Sequence, residues 1–342
     1  VRIGIDGRKL ADFGIGTYIR GLLGGLAEIA ADQTILVFAP ASARSLIPAA
    51  FEHVVLDAPN YSLRELLVVG RAADAAGLDV FHAPHYVVPL TRVPLVVTVH
   101  DLIHLHHRNP LARTYARMMI GRAVRRARRV LTVSEAVKGD ITTSFGRADK
   151  IVVTPNGIDA VFRADGPRAA GLHTSARYLL FAGNDKPHKN VQRLVEAFAG
   201  VRAQEPDVQL VLAGGAFQRF AARDGVVIAG FVETSEELAA LMRGARALVQ
   251  PSLEEGFGLP AAEAMACGTP VITSLAPALV EVTGDAALHV DATSLGALRD
   301  AILRVLRDEA LGEAMRVRGV ARAASFSWRR CAETTLAAYR SA

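Results

Sequence analysis

The sequence predicts an α/β protein of two doubly wound domains, and three observations carry that prediction. Short apolar runs rich in β-branched residues alternate with helical patterns from end to end, as expected of parallel strands covered by helices on both faces. At 342 residues the chain exceeds one ordinary small domain and suits two with substantial cores. The alternation pauses after Gly157 and resumes at Leu179, so one architecture is written twice, with the boundary expected near residues 160–175.

In the first half, strands are expected near Ile3, Leu36-Val37-Phe38, Val54-Val55-Leu56, Val80-Phe81, Val96 to Val99, Val130 to Val133 and Ile151-Val152-Val153. Each is short and bounded by turn or helical residues. Helices are expected between them over Tyr18 to Ala31, Ser62 to Ala76, Leu111 to Arg128 and Ser134 to Ser144. In the second half, strands are expected at Leu179-Leu180-Phe181, Leu210-Val211-Leu212, Val226-Val227-Ile228, Leu248-Val249 and Val271-Ile272, and from Leu295 onward the pattern is helical.

A hydrophobic content of 51% with 21% charged residues is that of a globular protein, and no apolar stretch is long enough to span a bilayer. The start, Val1 to Asp6, reads as a strand entering the fold rather than a signal segment. Two cysteines, Cys267 and Cys331, make no disulfide framework and fit a reducing compartment, so a cytoplasmic location is expected. The net charge of +5 suits an anionic substrate, an acidic membrane or nucleic acid without choosing among them. Arg113, Arg117, Arg122, Arg125, Arg126, Arg128 and Arg129 concentrate on one expected helix that also carries Tyr115, Met118, Met119 and Ile120. Its ordinary reading is a solvated face; its functional reading is peripheral attachment to the inner, anionic face of the cell membrane. Nucleic acid is not expected, because no aromatic stacking platform accompanies the charge.

The run from Glu255 to Val271, EGFGLPAAEAMACGTPV, carries the most chemistry. Gly256 and Gly258 allow close approach of backbone to a ligand, and Pro260 suits the first turn of a helix starting near Leu259. The unpaired N–H groups and dipole of such a helix favour a diphosphate in front of it. Glu255 then lies in the loop ahead of the helix and Glu263 about one turn inside, so the two carboxylates can take hydroxyls at opposite ends of one nucleotide sugar. Taken singly, either Glu reads as a solvated or capping charge.

This run resembles the E-x7-E signature of the retaining family 4 glycosyltransferases of GT-B fold. The likeness extends through Gly14-Ile15-Gly16-Thr17-Tyr18, Val99-His100-Asp101-Leu102, Val133-Ser134-Glu135 and Pro155-Asn156-Gly157-Ile158-Asp159, and is nearest to bacterial polysaccharide mannosyltransferases. It implies two Rossmann-like domains facing across a cleft. Residues 1–165 would form the acceptor-side domain and 170–325 the donor domain, with 326–342 a helix crossing back to the first. Glu255 would contact donor-sugar hydroxyls and Glu263 the ribose, with Gly256, Phe257, Gly258 and Leu259 lining the phosphates.

The resemblance gives roles to further residues. In Gly183-Asn184-Asp185-Lys186-Pro187-His188-Lys189-Asn190, Lys189 would neutralise the leaving diphosphate. Asn184 and His188 stand where relatives commonly carry an arginine, so Lys186 or His188 is expected to supply that charge, or the site manages with Lys189 and the helix end. Gly16 would give a backbone contact to the donor; taken alone its loop is a plain tight turn, and Ile19 in place of a third glycine argues against a dinucleotide cofactor. His100, at the end of an apolar strand, would meet the donor sugar and the transition-state charge. Asp101 would orient His100 or meet the acceptor. Val232, after Gly230-Phe231, would lie along the nucleotide base, with Phe231 also suited to the core. Trp328 reads as a packing anchor. His104, His106 and His107 lack the carboxylate or thiolate partners of a metal site, and no Asp-x-Asp pair occurs. No metal or cofactor is expected.

The sequence therefore points to a retaining, metal-independent hexosyltransferase. It would move a hexose, mannose from GDP-mannose, to a hydroxyl of a glycan or lipid-linked saccharide. The alternatives are a GT-B sugar-nucleotide epimerase, which would need no acceptor, and a nucleotide-sugar-binding protein without turnover.

Overall fold

The computed structural model describes residues 1–58, 63–106, 109–169 and 177–342. Ser62, His107 and residues 170–176 of the expected linker lie outside the described residues. The chain forms two compact units, residues 1–157 with 327–342 and residues 158–326, and passes between them after Gly157 and after Phe326.

The first unit runs β1 (Arg2–Asp6), α1 (Ile15–Ile29), β2 (Thr34–Ala39), β3 (Glu52–Val55), α2 (Leu63–Ala75), β4 (Val80–Ala83), β5 (Leu95–Val99), α3 (Pro110–Arg126), β6 (Arg129–Thr132), α4 (Glu135–Phe145) and β7 (Ile151–Val153). Its seven strands are parallel in the order β3-β2-β1-β4-β5-β6-β7. The order reverses between β1 and β4, so their carboxyl ends form the crevice where open α/β sheets collect ligands. On one face Ile19, Leu22, Leu23 and Leu26 of α1, at helical spacing, bury against Ile3, Ile5 and Val37. On the other, Ile120, Ala123 and Val124 of α3 pack with Val97 and Val99.

The second unit runs β8 (Tyr178–Ala182), α5 (Val191–Arg202), β9 (Gln209–Ala213), β10 (Val226–Gly230), α6 (Ser235–Gly244), β11 (Ala247–Gln250), α7 (Leu259–Ala266), β12 (Val271–Ser274), α8 (Pro277–Thr283), β13 (Ala287–Val290), α9 (Leu295–Arg307) and α10 (Glu309–Ala323). Six parallel strands stand in the order β10-β9-β8-β11-β12-β13. The switch point falls between β8 and β11. The edge strand β13, sequence Ala-Leu-His-Val, was not anticipated: it offers few β-formers, and its pairing with β12 makes it a strand.

The last helix, α11 (Trp328–Arg340), belongs to the first unit. The Trp328 indole lies against Gly21 of α1 and Gly157, where a Cβ on either glycine would clash with it. Cys331, Ala332 and Leu336 continue the contact into the α1 core. Both cysteines are free and buried, and burial pushes each thiol up to about 12. Among the described residues no helix is long and apolar enough to cross a membrane.

Candidate active site

At the switch point of the second unit, the loop after β11 carries Glu255 and the loop after β8 carries Lys189. Their side chains meet, Lys189 Nζ lying 2.6 Å from Glu255 Oε1 with only 17% and 8% of the two side chains exposed. The loops are fixed by backbone and amide contacts. Leu253 N–H donates to the His188 carbonyl at 2.7 Å, and buried Asn190, in the left-handed conformation at φ 58°, donates to the carbonyls of Pro251 and Ala292. Asn suits that conformation better than most residues with a Cβ.

Gly258, at φ 90°, precedes α7, whose first residues are Leu259 and Pro260. A Cβ at Gly258 would clash with Leu279 and be strained at that φ, so glycine is required. The expected helix start and the position of Glu255 ahead of it are thus observed. Phe257 is buried edge-on to Phe326, their centroids 5.3 Å apart; it is a packing anchor for the loop, with Gly256 buried beside it.

Glu263 lies inside α7 and is 7% exposed, with no hydrogen-bond partner among the described residues. Burial, reinforced by the charge of Asp159, pushes its carboxyl up to about 8. A carboxyl so raised is mostly protonated at pH 7. Such a group is poised for ligand hydroxyls, because a polar side chain in low dielectric gains most from a partner.

Around this centre the predicted residues divide. Asn184 and Lys186 are exposed at the end of β8. Two arginines bind residues of this loop: Arg219, which donates to Asp185 at 2.7 and 2.8 Å, and Arg193 in the first turn of α5, which donates to Asn190 Oδ1 at 3.1 Å. Val232 is half-buried just after β10. Phe231 is 55% exposed, which corrects the core alternative; Gly230 at φ 72° turns the chain off the sheet before it.

In the first unit, His100 follows β5 and its Nε2 lies 3.0 Å from the Pro84 carbonyl. A carbonyl only accepts, so the proton is on Nε2 and Nδ1 is left as an acceptor. Burial lowers its proton affinity, leaving a neutral imidazole. Asp101 accepts from Ile103 N–H at 3.0 Å and so shapes the turn beyond. Gly16 lies in the first turn of α1 rather than in the preceding loop. A Cβ there would come within 2.7 Å of the Leu10 carbonyl and 2.9 Å of that of Lys9, so tight loop packing is one reason for this glycine.

Two buried polar groups in this unit were missed from sequence. Asp6, at the end of β1, takes Arg8 at 2.6 Å, and Arg8 also reaches Glu65 at 2.7 Å; His85 faces Asp6 at 3.5 Å. These contacts outweigh burial and hold the Asp6 carboxyl well below its ordinary range. Behind His100, a chain of contacts runs Tyr339 to His82 at 2.7 Å, His82 to Thr98 at 2.8 Å and Thr98 to Tyr18 at 3.0 Å, and the Tyr18 ring stands edge-on to His100 at 4.7 Å. Burial pushes His82 down to about 3, so the chain is neutral. Histidines and tyrosines distributed over the sequence give no local signal of such a network.

The basic helix differs in part from expectation. α3 ends at Arg126, placing Arg128 in the next turn and Arg129 in β6. Arg122 donates to the Val88 and Pro89 carbonyls, Arg126 to that of Thr91, and Arg129 to Ser341 Oγ. Leu111, Tyr115 and Met118 are 80%, 40% and 59% exposed at helical spacing, with Arg113, Arg117 and Arg125 exposed on the same helix. A cavity of about 500 Å³ beside them is lined by Thr114, Arg117, Met118, Gly121, Arg125, Ser144 and Phe145.

Both halves of the chain are similar to known proteins. Residues 164–322 match the family described as "Glycosyl transferases group 1", and residues 14–162 that described as "Glycosyltransferase Family 4". O-antigen chain mannosyltransferase B of Escherichia coli is 32% identical, over 76% of this chain and 74% of its own. D-inositol 3-phosphate glycosyltransferase of Pseudarthrobacter chlorophenolicus is 29% identical, over 96% and 90%. Among solved structures, Anabaena HepE in complex with UDP-glucose superimposes with a TM-score of 0.76 at 19% identity, covering 98% of this chain and 99% of its own. The chain belongs to the family 4 glycosyltransferases and has their GT-B fold.

Proposed function

We propose that this glycosyltransferase transfers a hexose with retention and without a metal, mannose from GDP-mannose being the first choice of donor. The acceptor is a hydroxyl of a glycan or lipid-linked saccharide, taken by the first unit, while the second takes the donor. The observation that carries the reading is the largely buried Lys189–Glu255 pair beside the open end of α7, with the carboxyl of Glu263, which has no hydrogen-bond partner among the described residues, inside that helix. Lys189 has donors left for phosphate after meeting Glu255, and the α7 dipole with the Leu259 N–H favours the same charge, the Ala261 and Ala262 N–H groups being bonded to the Gly258 carbonyl. Glu255 accepts sugar hydroxyls and Glu263 the ribose pair. His100 Nδ1 accepts a further sugar hydroxyl, and its neutral ring tolerates the positive oxocarbenium-like state.

In this mechanism the C1–O bond to the diphosphate breaks, and the acceptor oxygen bonds C1 on the face being vacated. The acceptor proton passes to the departing phosphate oxygen, so no protein nucleophile is needed. Incubation of GDP-mannose and other nucleotide sugars with saccharide acceptors or inositol 3-phosphate, in EDTA, tests it by NMR of the product. A glycoside with the donor's anomeric configuration is expected. An inverted product, a divalent-cation requirement, or release of an altered sugar without acceptor would contradict it, the last favouring the epimerase.

We also propose that α3 rests on an anionic membrane surface. Its exposed Leu111, Tyr115 and Met118 supply apolar contact, and Arg113, Arg117 and Arg125 supply charge on a helix with no acidic residue. Each arginine near such a surface is worth about 1 kcal/mol. Flotation with phosphatidylglycerol vesicles should therefore lose most of the bound protein when the three are changed to Gln; unchanged flotation would remove the proposal.

A further inference from the structure

Glu255 is held by a residue outside the signature that identifies it. Gln250, the last residue of β11, is 2% exposed, and its Nε2 donates to Glu255 Oε1 at 2.7 Å. Lys189 approaches the same oxygen at 2.6 Å. Glu255 Oε1 is thereby saturated, whereas Oε2 has no partner among the described residues. An ionised carboxylate can only accept, so the amide must present its N–H side to it. The Gln250 carbonyl oxygen is consequently left buried without a partner among the described residues. A fold bears a penalty for such an atom, and here the atom is the consequence of aiming the N–H at Glu255. β11 pairs with β8 on one side and β12 on the other. The amide therefore projects from a central strand, and its nitrogen lies 3.7 Å from where a Cβ would stand on Gly258.

We propose that Gln250 is a positioning residue for transfer: it locks one oxygen of Glu255 beside Lys189, so that the other oxygen alone meets the donor sugar. This rests on the donor-site reading above. Losing the amide frees Glu255 to rotate about its terminal torsion, which is soft in carboxylates, and misplaces the acceptor of the sugar hydroxyls without touching the phosphate contacts. Its effect should therefore appear in kcat and not in affinity for the nucleoside diphosphate.

The test is a double-mutant cycle between Gln250→Met, which keeps the volume, and Glu255→Ala, read by transfer kinetics and by GDP affinity. Gln250→Met should lower kcat about tenfold, leave the Kd for GDP within twofold, and have no further effect in the Glu255→Ala background. A wild-type kcat, or an equal loss in both backgrounds, would overturn the proposal. Gln250→Glu provides a second variant of the same shape. Two facing carboxyls share a proton, and the shared proton can replace the amide N–H, so its rate should recover toward acid pH relative to the native enzyme; a parallel pH profile would count against it. Native transfer by Glu255→Ala itself would instead remove the donor-site reading, and this proposal with it.

Discussion

Replacing Lys189 with Met is expected to lower the turnover of hexosyl transfer by about 10²–10³-fold, the usual loss for one preorganised donor at a developing anion. The donor Kd should change only a few-fold, because the α7 end and both carboxylates still bind. The structure adds a consequence for stability. Lys189 is the counter-charge of Glu255, whose side chain is 8% exposed, and removing one member of a nearly buried pair strands the other. Lys189→Met should be less stable by on the order of 2 kcal/mol and so melt earlier, and the double variant Lys189→Met/Glu255→Gln should regain most of that stability while remaining inactive. Steady-state kinetics beside thermal melts separate the two effects. A single variant with native turnover would show that the ammonium is only a structural partner of Glu255.

Glu263→Gln should stabilise the fold at alkaline pH and weaken donor binding. Its folded-state carboxyl titrates at about 8 against an ordinary 4.5. The sign follows from linkage: the folded state holds the proton more tightly, so the stabilisation is complete below 4.5 and is lost as pH rises through 8. The native protein thus loses stability between those values, and an amide, which does not titrate, does not. A tenfold difference in proton affinity is worth about 1.4 kcal/mol, so at pH 9, above both values, Glu263→Gln should exceed the native protein by on the order of 5 kcal/mol. Donor binding runs the other way. Ribose hydroxyls donate to the ionised carboxylate, so native affinity should rise with pH toward 8 with release of a proton. The Gln variant should bind about 10–100-fold more weakly at pH 8, with little pH dependence, since hydrogen bonds to charged groups are worth about 1.5–3 kcal/mol. Melting curves from pH 5 to 9 give the first result. Identical slopes for the two proteins would show that Glu263 is not a buried, partnerless acid.

The strands, the helices around them and the Glu255–Glu263 run were legible because their signals are local. Continuous apolar runs mark strands buried on both faces, and Gly258 with Pro260 marks a helix start. β13 escaped because its four residues become a strand by pairing with β12. The Lys189–Glu255 contact joins residues far apart in sequence, brought together only by the β8–β11 adjacency at the switch point. Gln250 carries no local signal, because its role depends on where Glu255 turns back. The α3 arginines formed one cluster on paper, yet Arg122 and Arg126 spend their donors on carbonyls of residues 88–91, a division no helical wheel reveals without the partner loop.

The central claim is that the two carboxylates of the second unit grip one nucleotide sugar at its ends while Lys189 and α7 face its diphosphate. Calorimetric titration of the transferable nucleotide sugar at pH 8 into the native protein, Glu255→Ala and Glu263→Ala tests it most directly. One site is predicted, with affinity lowered about tenfold or more in each variant and with the sugar-free nucleoside diphosphate weakened only by Glu263→Ala. Native affinity for the nucleotide sugar in both variants would contradict it.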